Sequence, residues 1–139
     1  MSLAVRVEKV ADEASERVWL REDGVMVYRE LPEMSIASID AMMSRAQALA
    51  PELPSSPLCL VDLRELRRRP SAAQVRRLIS GIRAANVRFE HLAFVIGSRT
   101  LAVAARFVAR PLHGGRFSVH CELASAEAAL CRARDRGQS

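Results

Sequence analysis

Two short, continuous apolar runs separated by a capped amphipathic helix constrain the fold of this chain more than any other feature. Residues 58–63 and 91–96 are apolar almost throughout, which is typical of strands buried on both faces. Between them, Ser71 and Gln74 form a capping-box pattern, and an apolar stripe with helical spacing follows. Strand, helix and strand at this spacing predict a right-handed crossover between parallel strands.

The rest of the chain extends this pattern. Asp23 and Gly24 join two β-favouring runs, and an Asp-Gly pair in that position is a strong hairpin signal. Residues 3–8 alternate apolar and polar side chains, which predicts one more strand. The remaining predicted elements are helices at 35–50, 98–110 and 126–134, the last two capped by Ser98 and Ser125, and a strand at 117–121.

These elements predict an α/β fold in a single small domain covering residues 1–139. We expect a mixed sheet, antiparallel in the N-terminal hairpin and parallel afterwards, packed by about four helices. Half of the 139 residues are hydrophobic, which suffices for one core. No window approaches the roughly 18 apolar residues of a membrane span, and the N-terminus lacks the apolar core of a signal peptide. We therefore expect a cytoplasmic protein.

The charge of the chain is uneven. The formal net charge is +5. Acidic residues outnumber basic residues up to residue 60, and arginines outnumber acidic residues afterwards. All but one of the 21 basic residues are arginine, which fits either a compositional bias or selection for phosphate contacts. The helix beginning at Ser71 is followed by a strand and not by a recognition helix, and few aromatic residues accompany the arginines. The sequence therefore argues against a nucleic-acid partner.

The chain lacks the residue patterns of common catalytic and cofactor sites. Neither turn after the two apolar runs carries a glycine-rich phosphate loop. The three histidines, His91, His113 and His120, have no second ligand at helical spacing, and we interpret His91 and His120 as structural. The three cysteines, Cys59, Cys121 and Cys131, fit neither a disulfide framework nor a zinc site, and we expect them to be buried. We accordingly predict a protein that is not an enzyme, with no cofactor and no metal.

The best candidate site is a cluster of arginines beside a helix N-terminus. Arg67, Arg68 and Arg69 precede the helix that Ser71 caps, and Arg76 follows one turn later. Free N–H groups and the helix dipole attract anions, so these cations form a candidate anion or partner site. A solvated basic loop is the alternative.

Two further loop positions are candidates for function. Asp62 ends an apolar run, at the edge where open α/β sheets place ligands. Arg64 and Glu65 follow it, so a salt bridge that neutralises these carboxylates is the simpler interpretation. His113 lies in the glycine-containing loop 111–116, and functional groups concentrate in such loops.

The chain resembles the SpoIIAA-like group of STAS domains over about residues 15–134. The resemblance rests on an Asp-Leu turn after the middle strand, the capped helix at Ser71, and three later segments in typical order, which are 91–98, 104–107 and 117–120. The final helix around Glu127 and Leu130 adds to it. It implies a small α/β sandwich with a mixed sheet and helices largely on one side, related to Sec14-type lipid-binding domains.

The resemblance also implies a function. The best-known members of this group are anti-sigma-factor antagonists, which a kinase switches by phosphorylating a serine at the start of a helix. That serine corresponds to Ala72 here, and only Ser71 remains nearby. We therefore expect a non-catalytic regulatory or protein-interaction module without the usual phosphoserine switch. It would dock a protein partner through the basic loop and helix at residues 64–83, and a homodimer is also possible.

A second function stays open from the sequence. Apolar helix faces that include Met42, Met43 and Leu49 could enclose a small acidic or lipid-like ligand, with the arginine cluster holding its head group. In that case the protein would be a carrier or sensor.

Overall fold

Five strands form one mixed sheet whose spatial order follows the chain, and helices cover both of its faces. The computed structural model describes residues 2–85, 87–98, 102 and 116–137. The strands are β1 (Val18–Leu20), β2 (Met26–Arg29), β3 (Leu58–Asp62), β4 (His91–Val95) and β5 (Phe117–His120). The helices are α1 (Leu3–Ser15), α2 (Ile36–Leu49), α3 (Ala72–Ala84) and α4 (Leu123–Gly137), and a short 3-10 turn, Ala50–Glu52, follows α2.

The sheet combines one antiparallel hairpin with three parallel pairings. β1 pairs with β2 antiparallel, and β2, β3, β4 and β5 then pair side by side in parallel. The register aligns Tyr28, Val61, Phe94 and Val119 in one row across the sheet. The predicted fold class, an α/β arrangement with a mixed sheet and four helices, is confirmed.

The hairpin turn forms where the Asp-Gly pair predicts it. Gly24 has a φ of 86°, which only glycine adopts without strain, and its N–H donates to the Arg21 carbonyl. The Asp23 carboxylate accepts a hydrogen bond from the Val25 N–H at 3.2 Å. Local turn chemistry therefore sets the register of β1 against β2.

The side chains of alternate strand residues point into two separate hydrophobic cores, one on each face of the sheet. Cys59, Val61 and their row neighbours pack under α1, α2 and α3 on what we call the front face. Leu58 and Leu60 point to the back face, where α4 places Ala126 and Leu130 against them. Since β3 and β4 are buried at every position, both faces must be covered. Among the helices of the described residues, three of four lie on the front face, as the expectation of helices largely on one side requires.

The prediction of a strand at residues 3–8 is wrong, because this segment is the first part of α1. Its alternation also contains helical spacing, since Leu3, Val7, Val10 and Ala14 follow one another at three- and four-residue steps. Ser2 caps the helix by accepting the Val5 N–H at 3.3 Å, and Ala14 is fully buried in the front core. Packing against α2 decides between two patterns that the sequence leaves compatible.

The last helix begins earlier than predicted. α4 starts at Leu123, and the Ala126 N–H donates to the Glu122 carbonyl, so Ser125 lies inside the helix and is not its cap. Of the predicted helix at 98–110, the structure describes only Ser98 and Ala102. Ala102 is buried and helical, and its N–H donates to the Ser98 carbonyl. Within the described part of the chain, every helix is too short or too polar to cross a bilayer.

We expect Leu130→Ala to lower the free energy of unfolding by about 2–5 kcal/mol, because Leu130 fills the back core between α4 and the sheet. Chemical denaturation measures the change. Cys131→Ala is the matched control, since the neighbouring Cys131 is exposed, and should change stability by less than about 0.5 kcal/mol. Equal effects of the two substitutions would contradict the assignment of the back core.

Candidate functional site

The helix start at Ser71 has the geometry that the sequence predicts. The Ser71 hydroxyl accepts the Gln74 N–H at 3.1 Å, and the Gln74 side chain accepts the Ser71 N–H at 3.0 Å. Gln74 also donates to the Met34 carbonyl at 2.9 Å, which ties this end of α3 to the segment before α2. Ser71 is therefore engaged as a helix cap.

The arginine cluster beside this cap is exposed. Arg67 lies 3.6 Å from Glu33, with both side chains about two thirds exposed, so this ion pair is weak. Arg68 and Arg69 form no ion pair within the described part of the chain. The predicted site residues therefore do lie together at the entry to α3.

Exposed arginines without ion pairs also occur along α3. Arg76 and Arg83 are exposed, and neither pairs with an acid among the residues described. Arg77, on the next face, does pair with Asp40 of α2 through two contacts of 2.7 and 2.9 Å. Helical spacing places the unpaired arginines on one stripe together with the small exposed residues Ala72, Ala73 and Ser80. We call this stripe, with Arg67, Arg68 and Arg69, the arginine face.

Asp62, the first loop candidate, is the hub of an ion cluster. Its side chain is 1% exposed and accepts hydrogen bonds from Arg64 at 2.9, 3.0 and 3.1 Å and from Arg29 at 3.2 Å. Glu65 accepts from Arg17 at 2.9 Å. Arg29 in turn lies over the ring of Trp19, 5.2 Å from its centroid.

The electrostatics of Asp62 follow from these contacts. Burial would raise the pKa of its carboxyl group, but the hydrogen bonds and charge of Arg64, with the charge of Arg29, outweigh burial and lower it. Asp62 is thus held ionised with its oxygens occupied. The contacts are those of the salt bridge that the sequence favours over a catalytic pair.

A second buried carboxylate, Glu30, was missed by sequence reasoning. Glu30 is 0% exposed and accepts hydrogen bonds from the Tyr28 hydroxyl at 2.9 Å, the Ser38 hydroxyl at 2.8 Å and the Leu31 N–H at 3.1 Å. Burial raises its pKa, and the three hydrogen bonds oppose the shift only in part. The one available signal was the two-residue spacing of Tyr28 and Glu30, which puts both side chains on one face.

A third polar cluster lies on the back face. Two histidines, His91 of β4 and His120 of β5, contact the hydroxyl of Ser118 through their Nε2 atoms at 2.8 and 2.6 Å. Burial lowers the pKa of His91, and positive charge nearby adds to the effect. Sequence reasoning treated these residues separately because only the parallel register of β4 and β5 brings them together.

The other residues considered in the sequence are His113 and the three cysteines. His113 lies outside the described residues. Cys59 is buried, and burial raises the pKa of its thiol to about 12. The expectation that all three cysteines are buried is wrong, since Cys121 is half-buried and Cys131 exposed. Cys121 packs against the edge of the front core, and Cys131 lies on the exposed side of α4.

The side chains proposed to enclose a ligand are used in packing. Met42 is fully buried and Leu49 nearly so, both in the front core. Met43 rests against Gly81, where a Cβ would lie 2.9 Å from Met43 Cγ, so α2 and α3 approach closely at this point. Within the described part of the chain, histidine, cysteine and carboxylate side chains form no cluster of three that could hold a metal ion.

Comparison of the chain with protein-family models, with curated proteins and with solved structures found no match.

We expect Ser71→Ala to destabilise the protein by about 0.5–2 kcal/mol, because the first turn of α3 loses its side-chain acceptor. Thermal and denaturant unfolding measure the loss. Ser80→Ala, at an exposed position in the same helix, is the control and should have almost no effect. A loss confined to biological activity, with stability unchanged, would show that Ser71 acts as a regulatory site instead.

We expect Glu30→Gln to change the pH dependence of stability. The raised pKa of Glu30 means that its favourable contribution is complete below pH 4.5 and is lost as pH rises through the folded-state value. The glutamine amide does not titrate and can still bond Tyr28, Ser38 and Leu31. The variant should therefore gain stability relative to the natural chain as pH rises from 4.5 towards 7, by about 1.4 kcal/mol per unit of pKa elevation.

Urea unfolding at several pH values measures this difference. Glu33→Gln, which alters an exposed glutamate nearby, supplies the baseline. If the natural chain instead gained stability relative to Glu30→Gln on raising the pH, the pKa of Glu30 would be lowered and the assignment would be wrong.

Proposed function

We propose that the protein is a non-catalytic regulatory module that docks an acidic surface of a protein partner through the arginine face. The observation that carries this proposal is the set of exposed arginines without ion pairs within the described part of the chain, at Arg68, Arg69, Arg76 and Arg83. Elsewhere in the described structure some arginines do pair with carboxylates, and these are Arg17, Arg21, Arg29, Arg64 and Arg77.

Unpaired charge on a rigid helix suits recognition. The capping box fixes the start of α3, and the side chains of Leu78 and Ile82 anchor its opposite face in the front core. Between the arginines lie three exposed residues with small side chains, Ala72, Ala73 and Ser80. They leave space for the backbone of a partner to approach α3. Complementary charge of this kind speeds association and selects among partners.

The resemblance to SpoIIAA-like domains, whose best-known members are anti-sigma-factor antagonists, is consistent with a regulatory module that docks a protein. The absence of the usual serine at Ala72 argues that the docking is not switched there by phosphorylation. Ser71 is engaged with Gln74 and serves the helix start.

We expect simultaneous replacement of Arg67, Arg68 and Arg69 by serine to weaken partner binding while the melting temperature stays within a few degrees. Exposed charges add little stability, and the pair between Arg67 and Glu33 is long and solvated. A photo-crosslinking amino acid at Ser80 should trap one partner, with Asp and Glu enriched in the crosslinked peptide. The triple substitution and Arg76→Glu should both abolish that adduct.

The crosslinker at Ala128, an exposed position on α4, is the control and should not trap the same protein. Adducts of equal yield at Ser80 and Ala128, or an adduct at Ser80 that survives the triple substitution, would refute docking through the arginine face. A stoichiometric small-molecule mass retained in native mass spectrometry and lost on the triple substitution would favour the carrier function instead.

A further inference from the structure

Helix α1 carries exposed acidic side chains that its own fold leaves unpaired. Asp12 and Glu13 lie in the last turn of α1 and Glu16 directly follows the helix, and none of the three forms an ion pair within the described residues. Lys9, one turn earlier, is exposed and does not pair with them. Because the last turn contains no basic residue, these carboxylates add to the negative end of the helix dipole. We call Asp12, Glu13 and Glu16 the acidic face.

The acidic face and the arginine face lie on opposite flanks of α2. Helix α2 packs against both α1 and α3. It meets α3 through Asp40, which bonds Arg77, and through Met43, which rests on Gly81. Helical spacing puts Ala41, which is half-buried against the front core, on the other flank of α2. The outer side of α2 therefore separates the two charged faces.

Both charged faces lie at the same end of the sheet. Arg17, just after α1, bonds Glu65 at 2.9 Å, and Glu65 follows the end of β3. Gln74, in the first turn of α3, donates to the carbonyl of Met34 at 2.9 Å, and Met34 follows the end of β2. Helix α1 therefore runs towards the carboxyl edge of the parallel strands, and α3 begins at that edge and runs away from it.

This arrangement makes the front layer complementary to itself. A half-turn about an axis that lies in front of α2 and parallel to it exchanges the two flanks and keeps the carboxyl edges together. Helix α1 of one copy then lies antiparallel to α3 of the other, and the acidic face meets the arginine face twice. At the centre, the outer stripe of α2 carries the small residues Ala37, Ser44 and Ala48, so that two copies of α2 can approach closely.

Exposed apolar side chains accompany the charges on this layer. Among the described residues, the exposed large hydrophobic side chains are those of Leu3, Val5 and Ile36, at 77, 48 and 42%. All three belong to α1 or α2, and Val5 lies seven residues before Asp12 on the same stripe of α1. A second copy on the front layer removes part of this apolar surface from water.

We propose that two copies form a two-fold dimer in which α1 of each copy lies against the arginine face of the other. A second copy fits better than an unrelated occupant, because both complementary surfaces belong to one layer of the same chain. The dimer covers the arginines assigned to partner docking, so a partner must displace α1 of the second copy. This regulatory role rests on the proposed function, whereas the dimer itself does not.

Complementary charge reversals test the dimer. Asp12→Arg with Glu16→Arg gives the α1 variant, and Arg76→Glu with Arg83→Glu gives the α3 variant. Each variant alone should self-associate at least about 100-fold more weakly than the natural chain, because like charges then face each other. Mixed in equal amounts, the two variants should form a 1:1 heterodimer, since both of its contacts again join opposite charges. A heterodimer also shows that both variants are folded.

Sedimentation velocity of the full chain, from about 5 to 200 micromolar in about 50 mM salt, measures the masses. The natural chain should sediment as a dimer in the upper part of this range and should dissociate as salt rises to about 0.5 M, because salt screens the ion pairs. A natural chain that stays monomeric throughout, or mixed variants that stay separate, would refute the dimer.

Arg132→Glu with Arg136→Glu is the matched control, because it makes the same change of charge at exposed positions of α4 on the back face. This variant should dimerise as the natural chain does. If it dissociates as the α3 variant does, net charge alone explains the effect and the proposed interface is wrong.

A photo-crosslinking amino acid at Ser80 in the purified protein tests the contact without reversing any charge. It should trap residues 12–16 of a second copy, and an adduct to a different segment would refute the proposed geometry. In a lysate, the α1 variant with this crosslinker should trap the partner in higher yield than the natural chain. Partner adducts of equal yield without a dimer would refute the dimer and leave the docking function, whereas a dimer without any partner adduct would do the reverse.

Discussion

Burial of β3 along its whole length is the constraint on which the rest of the structure depends. A strand with five consecutive buried residues cannot leave either side of its sheet in water. The front side chains require the layer of α1, α2 and α3, and the back side chains require α4. The parallel neighbours on both edges follow, because the backbone groups of a buried strand must be paired. The hairpin then closes the sheet on one side, and β5 follows β4 on the other.

Two carboxylates are buried along with these strands, and their pKa values shift in opposite directions. Asp62, where β3 ends, meets Arg29 and Arg64 and stays ionised. Glu30, just after β2, meets only hydroxyl and amide donors, and its pKa rises. The first arrangement stabilises the fold at neutral pH and the second at acidic pH. The carboxyl edge of the sheet is therefore satisfied internally, whereas Arg76 and Arg83 of α3 are exposed and have no ion pair within the described residues.

Local chemistry explains which elements could be predicted from the sequence. The Asp23-Gly24 turn and the capping box at Ser71 depend on residues close together in the chain, so the sequence is enough to predict their geometry. The segment 3–8 was mispredicted because period-two and helical patterns overlap in short apolar segments, and only packing against α2 decides between them. The start of α4 was mispredicted because Ser125 has the residue type of a cap but lies inside the helix.

The sequence by itself determined the alternation of strands and helices, the helix start at Ser71 and the basic character of the segment before α3. These properties arise from side-chain spacing and from bonds within a few residues. Only the tertiary structure decided that Arg76 and Arg83 are left without ion pairs within the described residues while Arg77 meets Asp40, and that His91 meets Ser118 and His120. Such contacts join residues distant in sequence. They depend on strand register and helix placement, which the packing of both cores sets as a whole.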